Sequence, residues 1–98
     1  MILTGKASKD FIKWLHFKHN LQPYNLFNEI IQYALIIEWF DNVGICIDRD
    51  CINMEMVITD FRDVKKEQTI IDCDVEEPFH NWWKKAIKKA NEIYNNKN

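Results

Sequence analysis

Two glycines and two prolines in 98 residues are too few for a Gly-rich phosphate loop, a turn-dense barrel or a chain built on linkers. Each of those spends glycine on positive φ or on close backbone approach. Few, long elements are therefore expected. Cysteine is scarce as well: Cys46, Cys51 and Cys73 are an odd number with no C-x-x-C spacing, so the sequence offers no disulfide framework. The start Met1-Ile2-Leu3-Thr4-Gly5 lacks the apolar core of a signal peptide. The most apolar run, Ile30 to Phe40, is broken by Gln32 and Glu38 and is about half the ~20 residues needed to span a bilayer. A chain in a reducing cytoplasm with no membrane span is the expectation.

What is present is a globular balance. Apolar residues make up 47% and charged residues 29%, which excludes the low-hydrophobicity signature of disorder and fits a single domain over residues 1–98. The net charge of −2 gives no overall field toward nucleic acid. Its distribution is uneven, however. Residues 1–20 and 78–98 are lysine-rich, whereas residues 41–77 hold most of the acids, an arrangement that suits internal pairing or head-to-tail self-association as readily as a polyanion.

Thr4 is placed to cap a first helix from Gly5 to about Lys18, with Ala7, Phe11, Trp14 and Leu15 on one face; Ile12 and Phe17 fall off that stripe. A second helix is expected from Asn25 or Phe27 to Asp41. Its broad stripe is Phe27, Ile30, Ile31, Ala34, Leu35 and Ile37, with Glu38 projecting into it, which leaves Ile36, Trp39 and Phe40 as surplus apolar positions for an oligomer interface. Asn42 and Gly44 supply the stop. Two-residue alternation then predicts strands near 43–48 and 51–60 joined through Arg49-Asp50, and a third at 68–75 after a polar turn around Asp63 to Glu67. Pro78 opens a closing helix whose apolar arc, Phe79, Trp82, Trp83, Ala86, Ile87, Ala90, Ile93 and Tyr94, spans roughly 140°. The expected fold class is α+β, in the order α-α-β-β-β-α, with a three-stranded antiparallel meander covered on one face by helices.

The lysine face of the closing helix, Lys84, Lys85, Lys88 and Lys89, together with Trp82, expected to be half-exposed at the edge of the apolar arc beside Lys89, is the candidate ligand- or partner-binding surface. Phosphates attract lysine, and indole faces stack on bases. A solvated helix back is the alternative reading of the same residues. The order α-β-β-β-α over residues 25–95 with Lys84-Lys85-Ala86-Ile87-Lys88 resembles the double-stranded RNA-binding domain, which implies a nucleic-acid-binding module. The departure is the turn Asp48-Arg49-Asp50-Cys51, whose two acids would repel phosphate.

Enzymatic and metal chemistry find less support. Asp72, Asp74 and Glu76 would share one side of a strand and could gather a hard divalent cation, and Asp48 and Asp50 form a smaller acidic pair. Asp63-Val64-Lys65 matches the D-x-K part of metal-dependent nuclease sites. His16, His19 and His80 with the cysteines show no zinc-ligand spacing. No catalytic residue, no metal site and no cofactor is assigned.

The segments Leu3-Thr4-Gly5-Lys6-Ala7 with Asp10-Phe11 and Trp14, then Phe40-Asp41-Asn42-Val43-Gly44-Ile45, then Lys89-Ala90-Asn91-Glu92-Ile93-Tyr94-Asn95 resemble a group of short, uncharacterised proteins encoded by phages and prophages of Bacteroidetes. The resemblance covers both ends and the middle of the chain and carries no catalytic residues. It implies a phage accessory protein that acts stoichiometrically in the host cytoplasm, blocking a host protein or sequestering a nucleotide signal, with anti-defence activity as the sharper form. A homo-oligomer is the expected assembly.

Overall fold

The computed structural model describes residues 1–19 and 28–96. Helix α1 (Gly5–Trp14) continues into a π-helical turn (Leu15–His19). Helix α2 (Glu29–Val43), strands β1 (Ile45–Asp50), β2 (Glu55–Asp60) and β3 (Glu67–Asp72), and helix α3 (Phe79–Asn96) follow. The strands form an antiparallel meander in sequence order, so the molecule has the α-α-β-β-β-α architecture its periodicities predict. Opposition of Ile45 to Asp60, Ile47 to Ile58 and Arg49 to Met56 places Ile45, Ile47, Met56 and Ile58 on one face. All four are buried, under α2 and α3. The outer face carries Asp48, Val57 and Ile70 in one row and Asp50, Glu55 and Asp72 in the next.

Helix α1 and the π-helical turn bury Ala7, Phe11 and Leu15 as their spacing requires, and leave Ile12 and Phe17 outside. The start of α1 is held from a distance. Thr4 occupies the N-cap position, but its side chain makes no cap bond. The amide of Asn91 on α3 accepts from Thr4 N at 3.0 Å and donates to Thr4 Oγ1 at 2.9 Å. The amide of Asn95 accepts from Ala7 N at 2.9 Å and donates to the Thr4 carbonyl at 2.9 Å. Two α3 side chains thus satisfy amides that a helix start leaves without intrahelical partners. Gly5 makes the approach feasible, since its φ is +61° and a Cβ there would lie 3.1 Å from the Asn95 amide nitrogen.

Helix α2 corrects the sequence-based expectation about its own orientation. Asn28 caps it, accepting from Ile31 N at 3.0 Å, and Gly44 ends it at φ +98°. Between these ends the buried edge is Tyr33, Ile36, Trp39 and Phe40, whereas Ile30 is 76% and Ile31 43% exposed. Ala34 and Glu38 are exposed with them, and Leu35 and Ile37 are half-buried. Ile36, Trp39 and Phe40 are therefore not an oligomer interface. Trp39 packs against Phe11 at 5.8 Å, Phe40 at 4.8 Å and Tyr94 at 5.0 Å between ring centroids. The choice of face follows from what each would bury. The opposite face runs from Ile30, Ile31 and Ala34 into Glu38 and Asp41, so turning it inward would desolvate two carboxylates. The chosen edge brings in three aromatic rings, Tyr33, Trp39 and Phe40, each worth roughly 150–250 Å² of buried surface. Phe27, and the part of the expected helix before Asn28, lie outside the described residues.

The strand joints shift for local reasons. Arg49 and Asp50 belong to β1, and the turn is Cys51 to Met54. Asp50 Oδ1 accepts from Ile52 N and Asn53 N, and its other oxygen from the Asn53 amide, an Asx turn that extends the strand to the aspartate. In the second joint Asp63 Oδ1 accepts from Lys65 N at 2.8 Å, and β3 ends at Asp72 rather than Val75.

The orientation of α2 has a measurable energetic consequence. Trp39→Ala is expected to lower unfolding free energy by ~3–5 kcal/mol. Ile31→Ala on the outer flank should change it by less than about 0.5 kcal/mol. Urea denaturation followed by circular dichroism reads both.

Candidate functional site

The four lysines of the closing helix do not act as one face. Lys85 pairs with Glu77 at 2.6 Å and Lys89 with Glu92 at 3.2 Å. The bond to Glu77 pushes the Lys85 pKa up and pulls that of Glu77 down. Both groups are at the surface, where such pairs contribute little to stability. Lys84 and Lys88, one turn apart, have no ion-pair partner among the described residues. They line a cleft of about 520 Å³ whose other walls include Ile2, Glu29, Gln32 and Tyr33. This cleft lies between the start of α2 and the middle of α3. The Glu29 carboxylate accepts a short hydrogen bond from the Tyr33 hydroxyl. The periodicity of α3 identified the lysines; Glu29, Gln32 and Tyr33 were missed because they read as positions on a different helix.

Trp82 is not part of a binding platform. It is 2% exposed, its indole nitrogen donates to the Asp74 carbonyl at 3.2 Å, and Phe79 packs edge-on at 5.3 Å. The edge position expected to leave it half wet is closed by the chain that leads from β3 into α3. Phe79 is the exposed aromatic there, with the Arg49 guanidinium 4.2 Å from its ring centroid.

The acids are dispersed by the same segment. With β3 ending at Asp72, Asp74 and Glu76 no longer share a strand face with it; the Asp74 carboxylate accepts from Glu76 N at 3.0 Å as part of a turn. Asp50, Glu55 and Asp72 are in register on the outer sheet face, yet no group of three His, Cys, Asp or Glu side chains among the described residues is arranged to hold a metal ion. Asp63 and Lys65 sit in the β2–β3 turn. Cys46 and Cys73 are half-buried, and burial raises the pKa of each, which disfavours the reactive thiolate. His16 and His80 are exposed, and the His19 side chain lies outside the described residues. No helix among the described residues is long and apolar enough to cross a membrane.

A polar network that sequence reasoning missed ties the helices to the sheet. Asp60, 2% exposed, accepts from Arg62 Nε at 3.0 Å and from a second guanidinium nitrogen at 3.1 Å. The same guanidinium donates to the Ile93 carbonyl at 3.1 Å and lies 5.2 Å from the Tyr94 ring centroid. The Tyr94 hydroxyl donates to Asp10, which also pairs with Lys6 at 2.6 Å. Lys6 and Tyr94 hold the Asp10 pKa below its ordinary 3.8. Burial and the bond to Asp10 push Tyr94 up to about 12. The sequence offers no direct signal for it: Asp10, Asn91, Tyr94 and Asn95 lie in the two terminal segments, far apart along the chain. The fold joins those segments to each other.

Comparison with protein-family models, with curated proteins and with solved structures returned no match.

The Tyr94–Asp10 bond implies an alkaline limit. A phenol whose native pKa exceeds its ordinary 10.0 contributes stability that is present below pH 10 and lost as pH rises toward about 12. Thermal melts across that window should show falling stability in the wild type and a flatter profile in Tyr94→Phe.

Proposed function

We propose that this chain is a small phage accessory protein that acts by stoichiometric binding in the cytoplasm of its host, blocking a host protein in an anti-defence role. The observation that carries this reading is the outward flank of α2. Ile30, Ile31 and Ala34 form an exposed apolar surface on a helix whose other edge is anchored in the core. Exposed aliphatic side chains held on a rigid element suit a protein–protein contact, because little conformational entropy remains to be lost on binding. This flank replaces Ile36, Trp39 and Phe40 as the surface through which a partner, or a second copy in a homo-oligomer, would engage. The resemblance of the terminal segments to phage-encoded proteins supports the same class.

The alternative is a nucleic-acid-binding module. In its favour are Lys84 and Lys88, without ion-pair partners among the described residues, and the α-β-β-β-α order from α2 to α3. Against it are the burial of Trp82 and the acids Asp48 and Asp50 on β1, which ends beside the first strand turn.

The double substitution Ile30→Glu with Ile31→Glu tests the first reading. It should leave the melting temperature nearly unchanged and abolish retention of a specific host protein in affinity capture, or dissociate the oligomer seen by light scattering. A wild-type chain that is monomeric and retains nothing that the variant loses would remove the reading. Binding to duplex RNA or DNA at low salt, lost on Lys84→Glu with Lys88→Glu, would favour the alternative.

A further inference from the structure

We infer that the cleft between α2 and α3 is a binding site for a phosphorylated small molecule, with Lys84 and Lys88 as its anion-holding pair. This inference does not rest on the α2 flank and stands or falls separately from it. Three observations converge. First, the charges of α3 are sorted: Lys85 and Lys89 are neutralised by Glu77 and Glu92, while Lys84 and Lys88 are left without ion-pair partners among the described residues. Second, those two unpaired lysines line one cleft of about 520 Å³, within the range of small-molecule sites. Third, the remaining lining is mixed, as a specific site requires. Gln32 brings an amide, and Ile2 and the Tyr33 ring bring apolar surface.

The geometry of the pair suits phosphate. Side chains four residues apart on a helix have Cβ atoms about 6 Å apart, so two ammonium groups can flank one phosphate or contact neighbouring phosphates of a diphosphate. Lysine binds such groups as a point charge. Glu29 is the one carboxylate among the described residues that line the cleft. It accepts from Tyr33, and two cations against one carboxylate leave the site electropositive. Gln32 and Ile2 line the same cleft.

The test is an amide NMR titration of the full chain at low salt with pyrophosphate, ADP and a short oligothymidylate as separate probes. ADP or pyrophosphate should shift resonances of residues 29–33 and 84–88 and leave the β2–β3 turn unmoved. Lys84→Ala with Lys88→Ala should weaken that binding by about tenfold or more, a combined loss of at least about 1.4 kcal/mol. Lys65→Ala with Lys66→Ala, a charge-matched change on the β2–β3 turn, should alter it by less than about twofold. The inference is overturned if neither small probe perturbs the cleft, or if the two double variants weaken binding equally, which would mark non-specific charge attraction. It is also overturned if the oligothymidylate binds more tightly than ADP and shifts Lys85 and Lys89 together with Lys84 and Lys88, because the lysines would then form a nucleic-acid track.

Discussion

The packing of Trp39 determines most of what this molecule can present to a partner. Its indole meets Phe11 of α1, Phe40 of its own helix and Tyr94 of α3, so three helices are registered at one side chain. A helix that is apolar around most of its circumference has several faces it could bury, and hydrophobicity alone does not choose among them. Here the large aromatic edge wins over the aliphatic one, because the aliphatic face ends in Glu38 and Asp41, which would have to leave water with it. With that rotation set, Ile30 and Ile31 must face outward and the start of α2 must border the lysines of α3.

A second constraint couples the two ends of the chain. Asn91 and Asn95 hold the start of α1 through four hydrogen bonds, and Tyr94 reaches Asp10 two turns further along. The segments Leu3 to Asp10 and Lys89 to Asn95 are therefore one structural unit assembled from residues more than 80 positions apart. Polar side chains in these two terminal segments thus maintain the fold. Functional surfaces are to be sought on residues outside this clasp, as the α2 flank and the Lys84–Lys88 cleft are.

Much of the architecture was legible from period alone. The two-residue alternation through Ile45 and Ile47, and through Met56 and Ile58, marked the covered sheet face, and the Ala7, Phe11, Leu15 spacing marked the buried face of α1 and the π-helical turn. The failures have identifiable causes. Hydropathy alone favours the Ile30, Ile31, Ala34 stripe of α2, and the Glu38 that projects into it is the one sign that this stripe stays in water. Strand ends moved because Asp50 turns the chain through its own side chain, and Trp82 was judged half-exposed because the segment that covers it, through Asp74, has no periodicity of its own. The clasp and the cleft were out of reach for a different reason. Asn91 and Gln32 look like ordinary polar helix positions until a distant segment is brought beside them.

The rotation of α2 is the claim on which the proposed surfaces rest, and native-state thiol labelling measures it directly. In a background with Cys46, Cys51 and Cys73 replaced by serine or alanine, single cysteines at Ile31→Cys and Ile36→Cys would be reacted with an aromatic disulfide under native conditions. The thiol of Ile31→Cys should react at nearly the rate of an unfolded control, and that of Ile36→Cys only as fast as global unfolding exposes it, several orders of magnitude more slowly. Rapid labelling at position 36 with protection at position 31 would mean that α2 is turned the other way.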